Sequence, residues 1–133
     1  LVMGGSRGEG ELAEGFYYLP TILDDVDPAS ELAQKEVFGP VLAVMRFSDE
    51  AEAVQLANGT DYGLSGYLWT ADTRRAIRIT EELETGEVIV NGAPNAVTER
   101  PFGGIGHSGN GNEGGVEGLE EFFWTKSVAY GNG

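Results

Sequence analysis

Cysteine is absent from this sequence, and so is any long apolar run. The 133 residues include no cysteine, so a disulfide, a cysteine-ligated metal site or a thiol nucleophile cannot come from this chain. No apolar run approaches the roughly 18 residues that a membrane span needs. The first residues have neither the basic segment nor the long apolar segment of a signal peptide. The sequence therefore predicts a cytoplasmic protein without membrane association.

Positive charge is also scarce. Eight lysine and arginine residues face 22 acidic ones, for a net charge of -14, and Lys35 and Lys126 are the only lysines. Such a surface repels nucleic acid and anionic membranes, so neither is expected as a partner. The acidic residues are spread along the chain rather than gathered in a tail. This pattern favours a halophilic source, where salt screens self-repulsion; the alternative is an ordinary acidic protein.

Glycine, in contrast, is abundant, and its 21 residues concentrate at 4–15 and 103–118, which predicts loops there. Between these loops, Ser48 is expected to cap a helix that ends at Asn58, and Asp72 to cap a second helix that ends at Gly86. Strands are predicted at residues 16–19, 41–45, 63–70, 88–90 and 127–130, and short helices at 31–37 and 117–123. The alternation of strand and helix predicts an α/β fold with parallel-sheet βαβ units.

Several short segments match functional motifs only in part, so they do not indicate a nucleotide-binding, catalytic or metal site. The pattern GxGxxG begins at Gly104 and again at Gly109, but neither match follows a buried strand and opens a long helix. We interpret both as loops rather than as a dinucleotide fingerprint. His107 beside Ser108 lacks the oriented third partner of a triad. The acidic run at residues 24–27 lacks EF-hand spacing. The sequence thus predicts no catalytic residue and no metal site in this chain.

The segment between residues 35 and 41, KEVFGPV, is the strongest candidate for ligand binding. It places Glu36 and Phe38 at the entry to a predicted buried strand. A carboxylate there can accept hydrogen bonds from sugar hydroxyls, and a phenylalanine offers a flat apolar face to a ring. The alternative is that Phe38 packs against a helix end and Glu36 is solvated. The residues alone leave both interpretations open.

This segment resembles the EEIFGPV motif of the aldehyde dehydrogenase superfamily, and the resemblance extends over nearly the whole chain. Further similar segments are GFYYLPT at 15–21, AN at 57–58 with YGL at 62–64, GEVIVN at 86–91, PFGG at 101–104, SGNG at 108–111 and TKSV at 125–128. They occur in the family's order and at family-like separations. The resemblance implies that residues 1–133 are part of the C-terminal portion of an aldehyde dehydrogenase catalytic domain, with 124–133 as an oligomerisation strand.

The resemblance also implies roles for individual residues. Glu36 would bind the nicotinamide ribose, and Phe38 would lie beside the nicotinamide. Phe102, from the PFGG motif, would line the aldehyde pocket. Ala96 and Val97 lie in the loop that shapes substrate choice in this family.

Two residues depart from the family pattern. Lys35 replaces the first glutamate of EEIFGPV, which should matter less because Glu36 and Phe38 are retained. Asn112 stands where an arginine often follows SGxG, so any ion pair made by that arginine is in doubt here.

The implied function is oxidation of a small-molecule aldehyde to a carboxylic acid with NAD or NADP, in a protein that forms a homo-oligomer at full length. The family's nucleophilic cysteine, general base and Rossmann domain lie upstream of the matched region, so the isolated chain is expected to be inactive. One alternative is a freestanding, non-catalytic remnant that acts as a binding or partner-subunit module. Another is a related enzyme of the superfamily that acts on semialdehydes or forms acyl-CoA.

Overall fold

The computed structural model describes residues 1–95 and 97–131, and the chain divides into two compact units. The first unit comprises Leu1–Asp61 and the second Tyr62–Gly133. Each unit combines helices with short strands, which confirms the predicted α/β class. Within the described residues, no helix has the length and apolar character needed to span a membrane.

The first unit is organised around a pair of parallel strands. Its elements are a 3-10 helix (Gly10–Glu14), β1 (Thr21–Leu23), α1 (Glu31–Gln34), β2 (Val41–Ala43) and α2 (Glu50–Ala57). In the pairing of β1 with β2, Thr21 lies opposite Val41 and Leu23 opposite Ala43.

The first strand lies later in the chain than the sequence predicts. Residues 16–19 are not a strand; Tyr18 forms an isolated bridge with Arg7, and β1 begins after Pro20. Proline has no N–H to donate to a ladder, so regular pairing starts at the next residue. The N–H of Thr21 donates to the carbonyl of Pro40 at 2.8 Å.

The second unit contains the βαβ unit that the sequence predicts. Its elements are β3 (Tyr62–Gly63), β4 (Ser65–Leu68), α3 (Thr73–Glu82), β5 (Glu87–Val90), β6 (Phe102–Gly103), β7 (Ile105–Gly106), β8 (Asn112–Glu113) and α4 (Gly115–Glu120). β4 and β5 are parallel and are connected through α3, with Ser65 opposite Glu87 and Leu68 opposite Val90. β3 pairs with β7, and β6 with β8, both antiparallel.

The pairing of strands departs from a simple sequential order. Within the first unit β2 pairs with the earlier strand β1, and within the second unit β3 pairs with β7 and β6 with β8 across intervening strands. Consecutive strands of an α/β protein are adjacent only about two-thirds of the time. The hydrophobic pattern predicts where strands occur, but it carries no information about which strand lies beside which.

Of the four predicted helix ends, two are confirmed and two shift: the cap of α2 moves from Ser48 to Asp49, and α3 ends at Leu83 rather than at Gly86. Asp49, not Ser48, caps α2: its carboxylate accepts from the N–H of Glu52 at 2.9 Å. The Ser48 N–H and hydroxyl instead donate to the Glu52 carboxylate, at 2.7 and 2.6 Å. The predicted cap of α3 by Asp72 and the end of α2 at Asn58 are both confirmed.

The residues described after α4 have no regular structure beyond the turn that follows this helix. Residues 123–131 form neither helix nor strand, so the predicted strand at 127–130 is not present in this chain. A strand needs a partner to satisfy its backbone, and no described segment pairs with this one. Phe122, Trp124 and Tyr130 are almost fully exposed here. The role of residues 124–133 as an oligomerisation strand stays a prediction.

The chain buries little apolar surface. Among the described residues, the buried hydrophobic side chains are Ile79 of α3 and Ile89 of β5. The accessible surface is 10602 Å² for a mass of 14.1 kDa. A compact monomer of this mass exposes about 6,700 Å², and two separate domains of half the mass together expose about 8,100 Å². The exposed surface therefore exceeds both expectations.

Candidate cofactor and substrate site

The first candidate site is the segment between α1 and β2 in the first unit. Ser30 caps α1, and the helix ends at Lys35, whose N–H donates to the carbonyl of Glu31 at 2.9 Å. The Lys35 ammonium pairs with the Glu31 carboxylate at 2.8 Å, back along the same helix. The ammonium group of Lys35, the residue that replaces the first glutamate of the motif, is therefore paired with α1. Glu36 begins a segment without regular structure.

Phe38 has an unusual backbone and an exposed ring. Its φ of 51° lies in the left-handed region, and 92% of the residue is accessible to solvent. A bulky L-residue pays about 1–2 kcal/mol for this conformation, and such outliers cluster at functional sites. Glu36, two residues earlier, is also exposed. The pair offers a carboxylate acceptor and a free aromatic face, which fits a ribose and a nicotinamide ring.

An apolar cavity of about 600 Å³ lies behind this segment within the first unit. Val37 and Pro40 line it together with Leu23 of β1 and Val41 of β2, whereas Glu36 and Phe38 are not among its lining residues. Val37 therefore faces the cavity beside the parallel strands, whereas its two neighbours lie outside it.

The second candidate site is a cavity of about 380 Å³ in the second unit. Much of its wall comes from residues 91–101, the connection between β5 and β6, which we call the substrate-pocket loop. The lining residues are Glu87, Pro94, Asn95, Val97, Thr98, Arg100, Phe102, Glu113 and Gly114. The structure therefore brings together Val97 and Phe102, two of the three predicted pocket residues. Ala96, the third, lies outside the described residues, and contact with an aldehyde stays a prediction.

A charged cluster that no sequence motif predicts lies on the cavity wall. The Arg100 guanidinium pairs with the Glu87 carboxylate at 2.7 Å, and the same nitrogen is 2.8 Å from the carbonyl of Asn95. The Glu87 side chain is only 8% exposed. One signal was available: Glu87 lies two residues before buried Ile89 on β5, hence on the same face, and a buried carboxylate needs a partner.

The start of the substrate-pocket loop is fixed by Asn91. This residue is left-handed, with φ of 51°, a conformation that asparagine tolerates better than most residues. Its side-chain oxygen accepts from the N–H of Thr70 at 2.8 Å, and its amide group donates to the carbonyl of Thr70 at 2.7 Å. The side chain thereby extends the pairing of β4 with β5 by one step beyond the ladder.

The glycine-rich stretch at 103–118 is not the continuous loop that the sequence predicts, because it contains short paired strands and the start of α4. Ser108 accepts a hydrogen bond from the N–H of Gly63 at 3.0 Å, and the His107 ring meets the Tyr62 ring edge-on with centroids 5.7 Å apart. These contacts hold β7 against β3, in agreement with a structural role. Across the described residues, no group of three or more potential ligands could hold a metal ion.

The chain thus combines an α/β fold with a cavity that is lined by Phe102 of the PFGG segment. A profile of the aldehyde dehydrogenase family matches residues 1–128. The chain belongs to the aldehyde dehydrogenase family.

Individual relatives agree with this assignment. A 3-succinoylsemialdehyde-pyridine dehydrogenase from a Pseudomonas species is 44% identical over 128 residues, 96% of this chain and 27% of its own length. A betaine aldehyde dehydrogenase from Rhizobium etli is 41% identical over 133 residues, again 27% of its length. The chain thus spans about a quarter of these curated relatives.

Solved structures give the same result. The aldehyde dehydrogenase of Mycobacterium tuberculosis complexed with NAD+ matches with a TM-score of 0.84 and 43% identity, over 91% of this chain and 25% of that one. The betaine aldehyde dehydrogenase of Staphylococcus aureus in complex with NAD+ matches with a TM-score of 0.86 and 39% identity, over 91% of this chain and 24% of that one.

Proposed function

We propose that this chain is the C-terminal portion of the catalytic domain of an NAD(P)-dependent dehydrogenase that oxidises an aldehyde to a carboxylic acid. The observation that carries the proposal is the exposed, left-handed Phe38 beside Glu36, in a chain of the aldehyde dehydrogenase family. NAD+ in the similar structures from Mycobacterium tuberculosis and Staphylococcus aureus supports the choice of cofactor.

In this proposal the first candidate site holds part of the cofactor. A bound nicotinamide cofactor would accept a hydride from the substrate. Glu36 accepts hydrogen bonds from the ribose hydroxyls, which fixes the position of the sugar. Phe38 covers one side of the nicotinamide ring and excludes water from it. Neither residue transfers a proton or forms a bond, so both act by binding and orientation.

The second candidate site receives the aldehyde. Val97 and Phe102 supply apolar surface in the cavity, and Ala96 belongs to the same loop. Burial of the non-reacting part of the aldehyde against these side chains contributes binding energy that positions the carbonyl group. The residues of the loop therefore select among aldehydes by size and shape.

The chemical groups come from outside the chain. With no cysteine among the 133 residues, the nucleophile must lie in another part of the full-length protein. The large exposed surface supports this, because the excess over a compact monomer is area that the rest of the protein and neighbouring subunits can cover. We infer that the 133-residue chain alone is inactive.

The test compares the 133-residue chain with the natural polypeptide that contains it. Aldehyde-dependent formation of NADH or NADPH should be absent for the chain alone and present for the longer protein. An antibody against residues 81–87 should detect a native species several times heavier than 14.1 kDa. Turnover by the isolated chain would contradict the proposal. A native species near 14.1 kDa without turnover would instead support a freestanding binding or partner-subunit module.

A further inference from the structure

Arg100 joins two parts of the second unit that the backbone leaves separate. One nitrogen of its guanidinium contacts a carboxylate oxygen of Glu87, on β5, and both the carbonyl and the side-chain oxygen of Asn95, at 2.8 and 3.3 Å. Asn95 lies in the middle of the substrate-pocket loop. A single side chain thus connects the strand, the middle of the loop and the loop's own end.

The strength of this connection follows from burial. The Glu87 side chain is 8% exposed and that of Arg100 is 43% exposed, so the carboxylate depends on its partners far more than the guanidinium does. Ser65 of β4 also contacts this carboxylate, through a hydroxyl at 3.3 Å. Loss of Arg100 would leave a nearly buried negative charge with one weak neutral partner, which is unfavourable.

Other hydrogen bonds hold the substrate-pocket loop closer to its two ends. Asn91 holds the start through Thr70, and the carbonyl of Thr98 accepts from the N–H of Gly115 at 2.9 Å. The stretch between them includes Pro94, Asn95 and Val97, which line the cavity. Arg100 contacts the middle of this stretch through the two oxygens of Asn95.

We propose that Arg100 is a positioning residue, which holds the substrate-pocket loop against β5 through Glu87 and Asn95 and thereby sets the affinity for the aldehyde. The proposal rests on the function proposed above. Arg100 acts through the loop and does not touch the reacting atoms. An aldehyde that binds a pre-ordered loop loses less entropy than one that must order it, so the effect falls on substrate binding.

The experiment uses the full-length protein with Arg100→Gln, Arg100→Lys and, as a matched control, Arg46→Gln. Arg46 also pairs with a carboxylate, that of Asp24, but in the first unit. Arg100→Gln should raise KM for the aldehyde about ten-fold, which corresponds to about 1.4 kcal/mol less favourable binding to a loop that is no longer ordered in advance. The values of kcat and of KM for the cofactor should stay within about two-fold of wild type. Arg100→Lys keeps the positive charge without the planar guanidinium, so its KM for the aldehyde should lie between those of wild type and Arg100→Gln.

Hydrogen–deuterium exchange provides a readout that does not depend on turnover. Peptides from residues 92–98 should exchange faster in Arg100→Gln, while Arg46→Gln should leave them unchanged. Unchanged exchange and unchanged aldehyde KM in a folded Arg100→Gln protein would overturn the proposal, as would an equal rise in KM for the cofactor. If the wild-type protein oxidises no aldehyde, the proposed function fails, while the exchange rates still decide whether Arg100 holds the loop.

Discussion

Phe38 combines a strained backbone with an exposed ring, and neither property stabilises the fold. The left-handed conformation is unfavourable for phenylalanine, and a ring that is 92% exposed gains little from packing. The adjacent Gly39, which would tolerate the left-handed region at lower cost, does not take it up. A ligand that contacts the ring would account for this state, as in the role proposed beside the nicotinamide.

Substitution of Phe38 should therefore separate stability from function. Asparagine tolerates the left-handed region, so Phe38→Asn should raise the free energy of unfolding by up to about 1 kcal/mol. The same change removes the aromatic face and should raise KM for the cofactor several-fold. Urea denaturation and steady-state kinetics of the full-length protein measure the two effects.

Phe47→Asn is the control for this substitution. Phe47 is 62% exposed but has no left-handed backbone, so its replacement should neither stabilise the protein nor change KM for the cofactor. A Phe38→Asn variant that loses stability and keeps its cofactor affinity would show that the ring serves packing instead.

At the scale of elements, the start of α2 shows how neighbouring polar residues divide their tasks. Asp49 satisfies the N–H of Glu52, and Glu52 in return accepts from both the N–H and the hydroxyl of Ser48. The hydrogen bond from the Ser48 side chain, followed by that from its backbone, lowers the pKa of Glu52 below its ordinary value of 4.5. The carboxylate form of Glu52 is thus the form that the folded state favours.

The direction of this shift fixes its pH dependence. Because the pKa of Glu52 is lower in the folded state, its contribution to stability is present above the unfolded pKa and is lost as pH falls through the folded pKa. Ser48→Ala removes the largest cause and should move the pKa of Glu52 back toward 4.5. Stability should therefore fall near neutral pH and stay unchanged in strong acid, as NMR titration and urea denaturation can measure.

Asp49→Ala provides the comparison. Loss of the helix cap should cost about 1 kcal/mol at neutral pH, in addition to any effect on Glu52. If Ser48→Ala left the titration of Glu52 unchanged, the hydrogen bond between the two side chains would not lower the pKa of Glu52 in solution.

The elements that the sequence predicts correctly are those with local causes. The cap at Asp72, the apolar spacing through Ile79 and the short connection to β5 all lie within one βαβ unit, so the sequence contains the necessary information. The aromatic run before Pro20 suggests a strand, so the sequence places the start of β1 too early. The actual start of β1 depends on a hydrogen bond to Pro40, about twenty residues later in the chain. Pairing partners at that distance leave no periodic signal.

The residues of the candidate site also differ in whether the sequence predicts them. Glu36, Phe38 and Phe102 can be proposed as site residues because their motifs resemble those of a known family, and Ala96 and Val97 because they lie in the loop between two such motifs. The pair of Arg100 with Glu87 was not found, because it belongs to no motif and depends on the path of the loop between them. Alternation along β5 marks Glu87 as buried but does not identify its partner.

At the scale of the whole molecule, negative charge and exposed apolar surface occur together. The chain carries a net charge of -14 and leaves aromatic residues near its end, such as Trp124 and Tyr130, in solvent. Charge repulsion opposes association, whereas apolar surface favours it. Because repulsion between exposed charges is screened within about 10 Å at 0.1 M salt and about 3 Å at 1 M, salt shifts this balance toward folding and assembly.

We therefore expect the full-length protein to gain stability as KCl rises from about 0.1 M to about 1 M, with a higher midpoint of urea denaturation. Salt also strengthens burial of apolar groups, so a charge variant is needed to separate the two causes. Glu9, Glu11 and Glu14 are exposed around the 3-10 helix, and their joint replacement by glutamine removes three negative charges without loss of buried contacts. If repulsion is the cause, this variant should be more stable in low salt and should respond less to KCl. Maximal wild-type stability in low salt would instead indicate an ordinary acidic protein, and an equal response of both proteins would assign the salt effect to apolar burial.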